Sequence, residues 1–222
     1  MQPDLRLYAL IDPERAGGRD LAALARELAE GGATLVQLRD KHGTTRRLIA
    51  EARAIKAALA PYKIPLLVND RVDVALAAQA DGVHVGWDDM EATEARRLLG
   101  PQAIIGLSIK TLGQVAKAPI EALDYVCIGG VYATTSKDNP DPPIGPSGLK
   151  ALVAAMRARA PSLPAGTIAG IDKSNAADVI AAGADGVAVI SALSLAPDPK
   201  AATAELRAIV DDALARRGGK AT

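Results

Sequence analysis

The chain reads as an α/β protein made of repeated strand–helix units, and two observations along its 222 residues lead there. Short apolar runs of strand length alternate with stretches whose apolar side chains recur at helical spacing, the pattern of a parallel βα repeat. Nearly all reactive side chains fall just after those runs. Leu35–Leu38 runs into Arg39-Asp40-Lys41, 65–68 into Asn69-Asp70-Arg71, and 83–86 into Trp87-Asp88-Asp89. The run 104–107 ends in Ser108, 125–131 leads to Thr134-Thr135-Ser136-Lys137, and 187–190 ends at Ser191. Polar groups at the carboxyl ends of parallel strands converge on one mouth when the sheet closes, which is where such a barrel keeps its active site. The expected architecture is a (β/α)8 barrel of the TIM-barrel class, and the expected role is that of an enzyme.

Eight units can be placed. The strands fall near 5–11, 34–39, 65–68, 82–86, 103–107, 124–131, 166–171 and 186–190. Between them, Leu21-Leu24-Ala25-Leu28 and Val153-Met156-Arg157 keep helical spacing, and Gly31-Gly32 and Gly183 stand where helices should stop. Ala80-Asp81-Gly82 and Ala184-Asp185-Gly186 repeat one signal, the tight helix-to-strand turn at the bottom of a barrel, so Asp81 and Asp185 read as structural. One segment breaks the rhythm: the polar, Pro- and Gly-rich stretch 133–148 reads as a mobile lid over the mouth. The whole of 1–222 reads as one domain, with a frayed tail at 216–222.

Composition excludes several roles. Formal charge balances to zero, which gives no overall electrostatic case for nucleic acid or an anionic membrane. There is no Phe, so stacking platforms for single strands are scarce. Cys127 is the only cysteine and lies inside an apolar run, where it reads as a small core residue and allows no intrachain disulfide. Asp4 and Arg6 precede any apolar stretch, unlike a signal peptide, and no segment is apolar enough to span a bilayer. A cytoplasmic protein is expected, and a homodimer is left open.

Asp70 and Asp89 follow the third and fourth strands, which should be barrel neighbours. Two carboxylates with no cysteine nearby suit a hard cation such as Mg2+, which takes one or two carboxylates plus substrate phosphate and water. Asp88 competes with Asp89 for that place, and ordinary surface aspartates are the plain alternative. Gln37, Arg39 and Lys41 alternate and can point one way, with Lys137 adding a cation across the mouth. Arg grips planar oxygen pairs and Lys acts as a mobile point charge, so the set suits a pyrophosphate. Gly170, Ile190 and Ser191, at the ends of strands seven and eight, suggest a second anion site of the kind barrels build there. Two such sites in one mouth suggest two phosphorylated substrates and a joining reaction. His84, between Val83 and Val85, is either a satisfied core imidazole or a contact for a heterocycle; His42 reads as surface.

Taken in order, Gln37-Leu38-Arg39-Asp40-Lys41, Asn69-Asp70-Arg71, Ala80 through Gly86, Gly106-Leu107-Ser108, Thr134-Thr135-Ser136-Lys137 and Ala184 through Ser191 resemble the thiamine-phosphate synthases. That resemblance spans roughly 5–195. It implies a barrel that joins 4-amino-5-hydroxymethyl-2-methylpyrimidine diphosphate to a hydroxyethyl-methylthiazole phosphate, giving thiamine phosphate and pyrophosphate. It places Mg2+ on Asp70 and Asp89. It gives Gln37, Arg39, Lys41, Asn69, Ser108 and Lys137 to the pyrimidine diphosphate, and Arg39, Lys41, Ser108 and Lys137 to catalysis. Thr134, Ser136, Gly170, Ile190 and Ser191 go to the thiazole phosphate, and His84 lines the pyrimidine pocket.

The chain departs from the family pattern in three places. Gly129-Gly130-Val131 replaces a common Gly-Pro, Ala169 replaces the first glycine of a Gly-Gly-Ile, and Trp87 stands where Gln is common. The methyl of Ala169 is expected to crowd the phosphate. A related thiazole tautomerase is the nearest rival, but it uses a histidine just after the fifth strand, where this chain has Ser108-Ile109-Lys110, and tends to lose the acid at Asp89. A silent phosphate-binding regulator on the same barrel is the rival from another class, and the intact Asp70, Asp89, Arg39 and Lys137 argue against it.

Overall fold

The computed structural model describes residues 2–136 and 141–218. Eight parallel strands close into a barrel in chain order: β1 (Leu7–Ile11), β2 (Leu35–Leu38), β3 (Leu66–Asn69), β4 (Gly82–Val85), β5 (Ile104–Ile109), β6 (Tyr125–Gly129), β7 (Ala165–Ile168) and β8 (Gly186–Val189). The seam is closed by β1 against β8, with Leu7 opposite Val187 and Ala9 opposite Val189. All eight expected strands are present. Helices α1 (Leu21–Glu30), α2 (Thr45–Leu59), α3 (Val72–Ala78), α4 (Ala92–Leu99), α5 (Leu112–Lys117), α6 (Gly145–Arg159) and α7 (Ala176–Ala181) fill the connections, and α8 (Ser191–Ser194) and α9 (Pro199–Gly218) follow β8. Asp20 caps α1 by accepting from the Ala23 amide at 2.8 Å, and Thr111 with Gln114 forms a capping box on α5.

The strands have two buried faces, and the core divides accordingly. Outward-facing Leu7, Ala9, Ile11, Val36 and Leu38 join Leu24, Leu28, Leu48 and Ile55 from the helices in one apolar layer. Each of the Leu, Ile and Val side chains stabilises the fold by about 1.5–3 kcal/mol on full burial. Inward-facing Tyr8, Leu10, Leu35, Leu67, Tyr125, Cys127, Ala188 and Ile190 form a second, smaller cluster inside the barrel. Cys127 is buried there, as its sequence setting implied.

The repeated Asp-Gly signal has a physical cause. Asp81 accepts from the Leu66 amide at 2.8 Å, and Asp185 accepts from that of Ala165 at 2.8 Å, so each carboxylate ties the start of one strand to the start of the next. Asp124 does the same for Ile105 at 2.8 Å, without a glycine after it. A Cβ at Gly82 would collide with the Ile104 backbone, and one at Gly186 with the Leu5 backbone. These aspartates hold the barrel's lower rim.

Two boundaries differ from expectation. The stretch read as a loop over 133–148 ends at Ile144, because Gly145-Pro146 opens α6, and proline fits a first helical turn. The return is pinned by the amides of Ile144 and Gly145 on the carbonyls of Gly130 and Val131, each at 3.0 Å. The tail expected to fray from 216 is helical to Gly218. Arg217 donates to the carbonyls of Ile180 at 3.0 Å and Ala184 at 2.6 Å and pairs with Asp185 at 3.2 Å.

Candidate active site

The carboxyl ends of β1 to β5 gather the charged half of the mouth. Asp70 sits one residue past β3 with φ +61°, an αL conformation that is uncommon for a residue other than glycine. Asn69 donates to its Oδ2 at 2.6 Å, and Lys41 forms an ion pair with the same oxygen. Asp89 turns back toward the strand end, its Oδ2 accepting from the Gly86 amide at 2.8 Å, whereas Asp88 is exposed. Spacing left the two aspartates as alternatives; Asp89 is the one whose carboxylate lies beside that of Asp70. Burial pushes the Asp70 carboxyl up from its ordinary value; Lys41 opposes that rise and the neighbouring Asp89 carboxylate adds to it. Two carboxylates that close repel each other once ionised, which a cation between them relieves.

Arg39 has a partner that the sequence did not suggest. Its guanidinium pairs with Asp12, just past β1, whose side chain is 3% exposed and also accepts from the Glu14 amide at 3.0 Å. Asp12 was missed because an Asp-Pro step after a strand reads as a plain turn. The useful signal was its position, one residue past an apolar run, like that of Asp70. Lys137 lies outside the described residues. Among those described, no group of three or more His, Cys, Asp or Glu is placed to hold a metal ion.

A second cavity of about 430 Å3 opens on the other side of the mouth, at the ends of β6, β7 and β8. Thr134, Ser136, Gly170, Ile190 and Ser191 all line it, so these five sequence candidates are brought together. The hydroxyls of Ser136 and Ser191 meet at 2.7 Å, joining the long loop to the start of α8. Gly170 takes φ +64°, and a Cβ there would strike the Ala133 carbonyl and the Tyr132 side chain. Its own carbonyl accepts from Asn175 at 2.9 Å. Ala169 before it has φ +92°, so the departure at this position is a strained backbone as well as an added methyl.

Between the two halves a line of polar groups crosses the barrel interior. Gln37 donates through Nε2 to the Tyr8 hydroxyl, which lies 2.9 Å from that of Tyr125. Tyr125 Oη is 2.8 Å from His84 Nδ1, and His84 Nε2 is 2.9 Å from Ser108 Oγ. Burial raises both phenols well above their ordinary range, so both stay protonated. His84 is therefore a satisfied interior imidazole that also reaches the mouth through Ser108. Gly106, opposite Tyr125 in the register, leaves room for its ring, since a Cβ there would overlap it. Tyr8 and Tyr125 were not singled out in the sequence, because inside apolar runs they read as core. Trp87, which had no sequence explanation, donates from Nε1 to the Ser108 carbonyl at 2.8 Å and ties the exits of β4 and β5.

A closed parallel barrel with its polar groups collected at one end of the strands defines a TIM-barrel enzyme. The family description "Thiamine monophosphate synthase" matches residues 7–193. The chain belongs to that family and is a transferase of thiamine biosynthesis. Among its relatives, the thiamine-phosphate synthase of Agrobacterium fabrum is 51% identical over 214 residues, covering 96% of this chain and 97% of the relative. That of Albidiferax ferrireducens is 46% identical over 207 residues, covering 93% and 92%. A solved structure of the thiamine phosphate pyrophosphorylase from Pyrococcus furiosus superposes with a TM-score of 0.82 at 36% identity, covering 96% of this chain and 98% of the other.

Proposed function

We propose that this enzyme joins 4-amino-5-hydroxymethyl-2-methylpyrimidine diphosphate to hydroxyethyl-methylthiazole phosphate in a Mg2+-dependent reaction that yields thiamine phosphate and pyrophosphate. The observation that carries this reading is the division of one mouth into a charged half around Asp70 and Asp89 and a hydroxyl- and glycine-lined half around Ser136 and Gly170. The closely facing carboxylates fit Mg2+: they are hard oxygen donors and too few for a full protein cage, which leaves places for diphosphate oxygens. Bound there, the ion would supply Lewis-acid stabilisation of the leaving diphosphate.

The chain's own residues do the rest. Arg39, oriented by Asp12, offers a planar fork to diphosphate oxygens, and Lys41 a point charge on a flexible stem. Lys137 takes a similar role on the strength of its sequence motif. Ser108 donates to the same group, and Asn69 and Gln37 fix the pyrimidine end beside His84. Negative charge grows on the diphosphate as its bond to the pyrimidine methylene breaks, and these donors favour that charge over the ground state. The 4-amino pyrimidine delocalises the cation left behind, so departure precedes attack and the transfer is dissociative. Thr134, Ser136, Ser191 and the backbone at Gly170 and Ile190 hold the thiazole phosphate, so that the ring nitrogen faces the methylene carbon.

Incubating purified protein with both phosphorylated halves, with and without Mg2+, tests the assignment. Mg2+-dependent thiamine phosphate is the expected product. Its absence, with the thiazole rearranged or simply bound, would replace the reading with tautomerase or regulator.

A further inference from the structure

The interior line from Gln37 to Ser108 has a direction, and that direction follows from counting protons. Gln37 donates to Tyr8 through Nε2, so the single Tyr8 hydroxyl proton goes to Tyr125. Tyr125, already accepting, has only the His84 Nδ1 lone pair to donate to along this line. An imidazolium would offer no lone pair there, so the line selects the neutral ring with its proton on Nε2. That proton is given to Ser108 Oγ, which turns the serine's own proton outward. Ser108 lines the cavity that also holds Lys41 and Asp89, so the outward proton points into the charged half of the mouth. With the Gln37 amide reversed, every bond reverses, and Ser108 would present lone pairs to an anion instead of a donor.

We propose that Tyr8 and Tyr125 are positioning residues that fix the His84 tautomer and so make Ser108 a donor toward the leaving diphosphate, with the Gln37 amide setting the direction of the relay. The second end of that amide supports this. Gln37 Oε1 is buried and has no hydrogen-bond partner among the described residues. A ligand N–H received at Oε1 would hold the amide in the orientation that drives the relay outward, and the exocyclic amine of the proposed pyrimidine is a donor of that kind. Recognition of the heterocycle and polarity at the diphosphate are then coupled through five side chains on β1, β2, β4, β5 and β6. Because buried hydrogen-bond chains reinforce one another, an interruption anywhere is felt at its end. The catalytic part of the proposal rests on the assigned reaction; the tautomer part does not.

The chain has two histidines, His42 and His84, so 15N-histidine spectra are simple to assign with a His42→Gln control. The expected spectrum has one His84 tautomer, protonated at Nε2, in the ligand-free protein. Thr167→Val removes another buried hydroxyl, one on the outward face of β7 that bonds the Ile128 carbonyl at 2.8 Å, and should leave that spectrum unchanged. Tyr125→Phe and Tyr8→Phe should each give mixed tautomers and lower kcat about tenfold, with KM for the thiazole phosphate unaltered; if one fails to fold, the other decides. A wild-type His84 protonated at Nδ1, or a tautomer unmoved in both Phe variants, overturns the relay. A correct tautomer in protein that makes no thiamine phosphate would overturn the catalytic half and point to an error in the reaction assigned, leaving the relay standing.

Discussion

The two ends of the barrel use the same residue type in opposite ways. At the lower rim, Asp81, Asp124 and Asp185 each accept a strand amide and each face a cation: Lys56 at 3.0 Å, Arg96 at 2.5 Å, and Arg157 with Arg217. At the mouth, Asp70 and Asp89 face each other, with Lys41 against Asp70. Carboxylates met by a strand amide and a cation stabilise the fold, whereas carboxylates facing each other cost stability until a cation comes between them. Backbone geometry does not divide in this way: Asp70 and Ala169 hold positive φ at the mouth, and Lys63 and Gln79 do so at the lower end. Like charges are brought together where chemistry is done.

Substitutions can break that contrast from either side. Asp89→Ala should lower kcat about 1,000-fold, roughly 4 kcal/mol of transition-state stabilisation, while the melting temperature holds or rises. It should also abolish the rise in melting temperature that Mg2+ is expected to give the wild type by mass action; near wild-type activity at saturating Mg2+ would remove Asp89 from its assigned role. Asp185→Ala should do the reverse. It leaves two arginines and the Ala165 amide without their carboxylate, and because these groups are partly exposed the expected loss is about 2–3 kcal/mol in chemical denaturation. Turnover measured below the transition should stay within about twofold, and a larger loss would mean the lower rim reaches the mouth. Ala169→Gly sharpens the comparison with the smallest effect. Relief of a positive φ, offset by the entropy that glycine adds to the unfolded chain, should stabilise the protein by about 1 kcal/mol. Titration with thiazole phosphate would then tell whether the methyl also weakens binding.

Most of the fold was legible because parallel strands must be apolar on both faces and must end where polar groups can reach solvent. The pairs Asp81-Gly82 and Asp185-Gly186 were legible because each residue has one physical task, an amide to accept or a close approach to allow. The second cavity was also readable, since Thr134, Ser136, Gly170 and Ser191 all follow strands that close next to one another. Three things were hidden. Pro146 looked like loop because proline opens helices as readily as it interrupts them. Asp12 looked like a turn because its partner, Arg39, is 27 residues away. Tyr8 and Tyr125 looked like core, and they are core; their hydroxyls acquire meaning only when closure brings β1 and β6 face to face across the interior.

Helix α9 carries a consequence for how the molecule is made. Arg207 donates to the Gly32 carbonyl at 2.8 Å, Asp211 pairs with Arg6 at 3.3 Å, and Arg217 grips the turn before β8. The last helix therefore fastens the final unit to the first. During synthesis the second neighbour of β1, β8, arrives only some 180 residues after it, as the pairing of Leu7 with Val187 requires. Until then the nascent chain carries an open strand edge, a template for mispairing with other chains. A chain broken off within α9 keeps β8 but loses the contacts that fasten the final unit to the first, and would be less a weakened enzyme than a burden on the cell's chaperones.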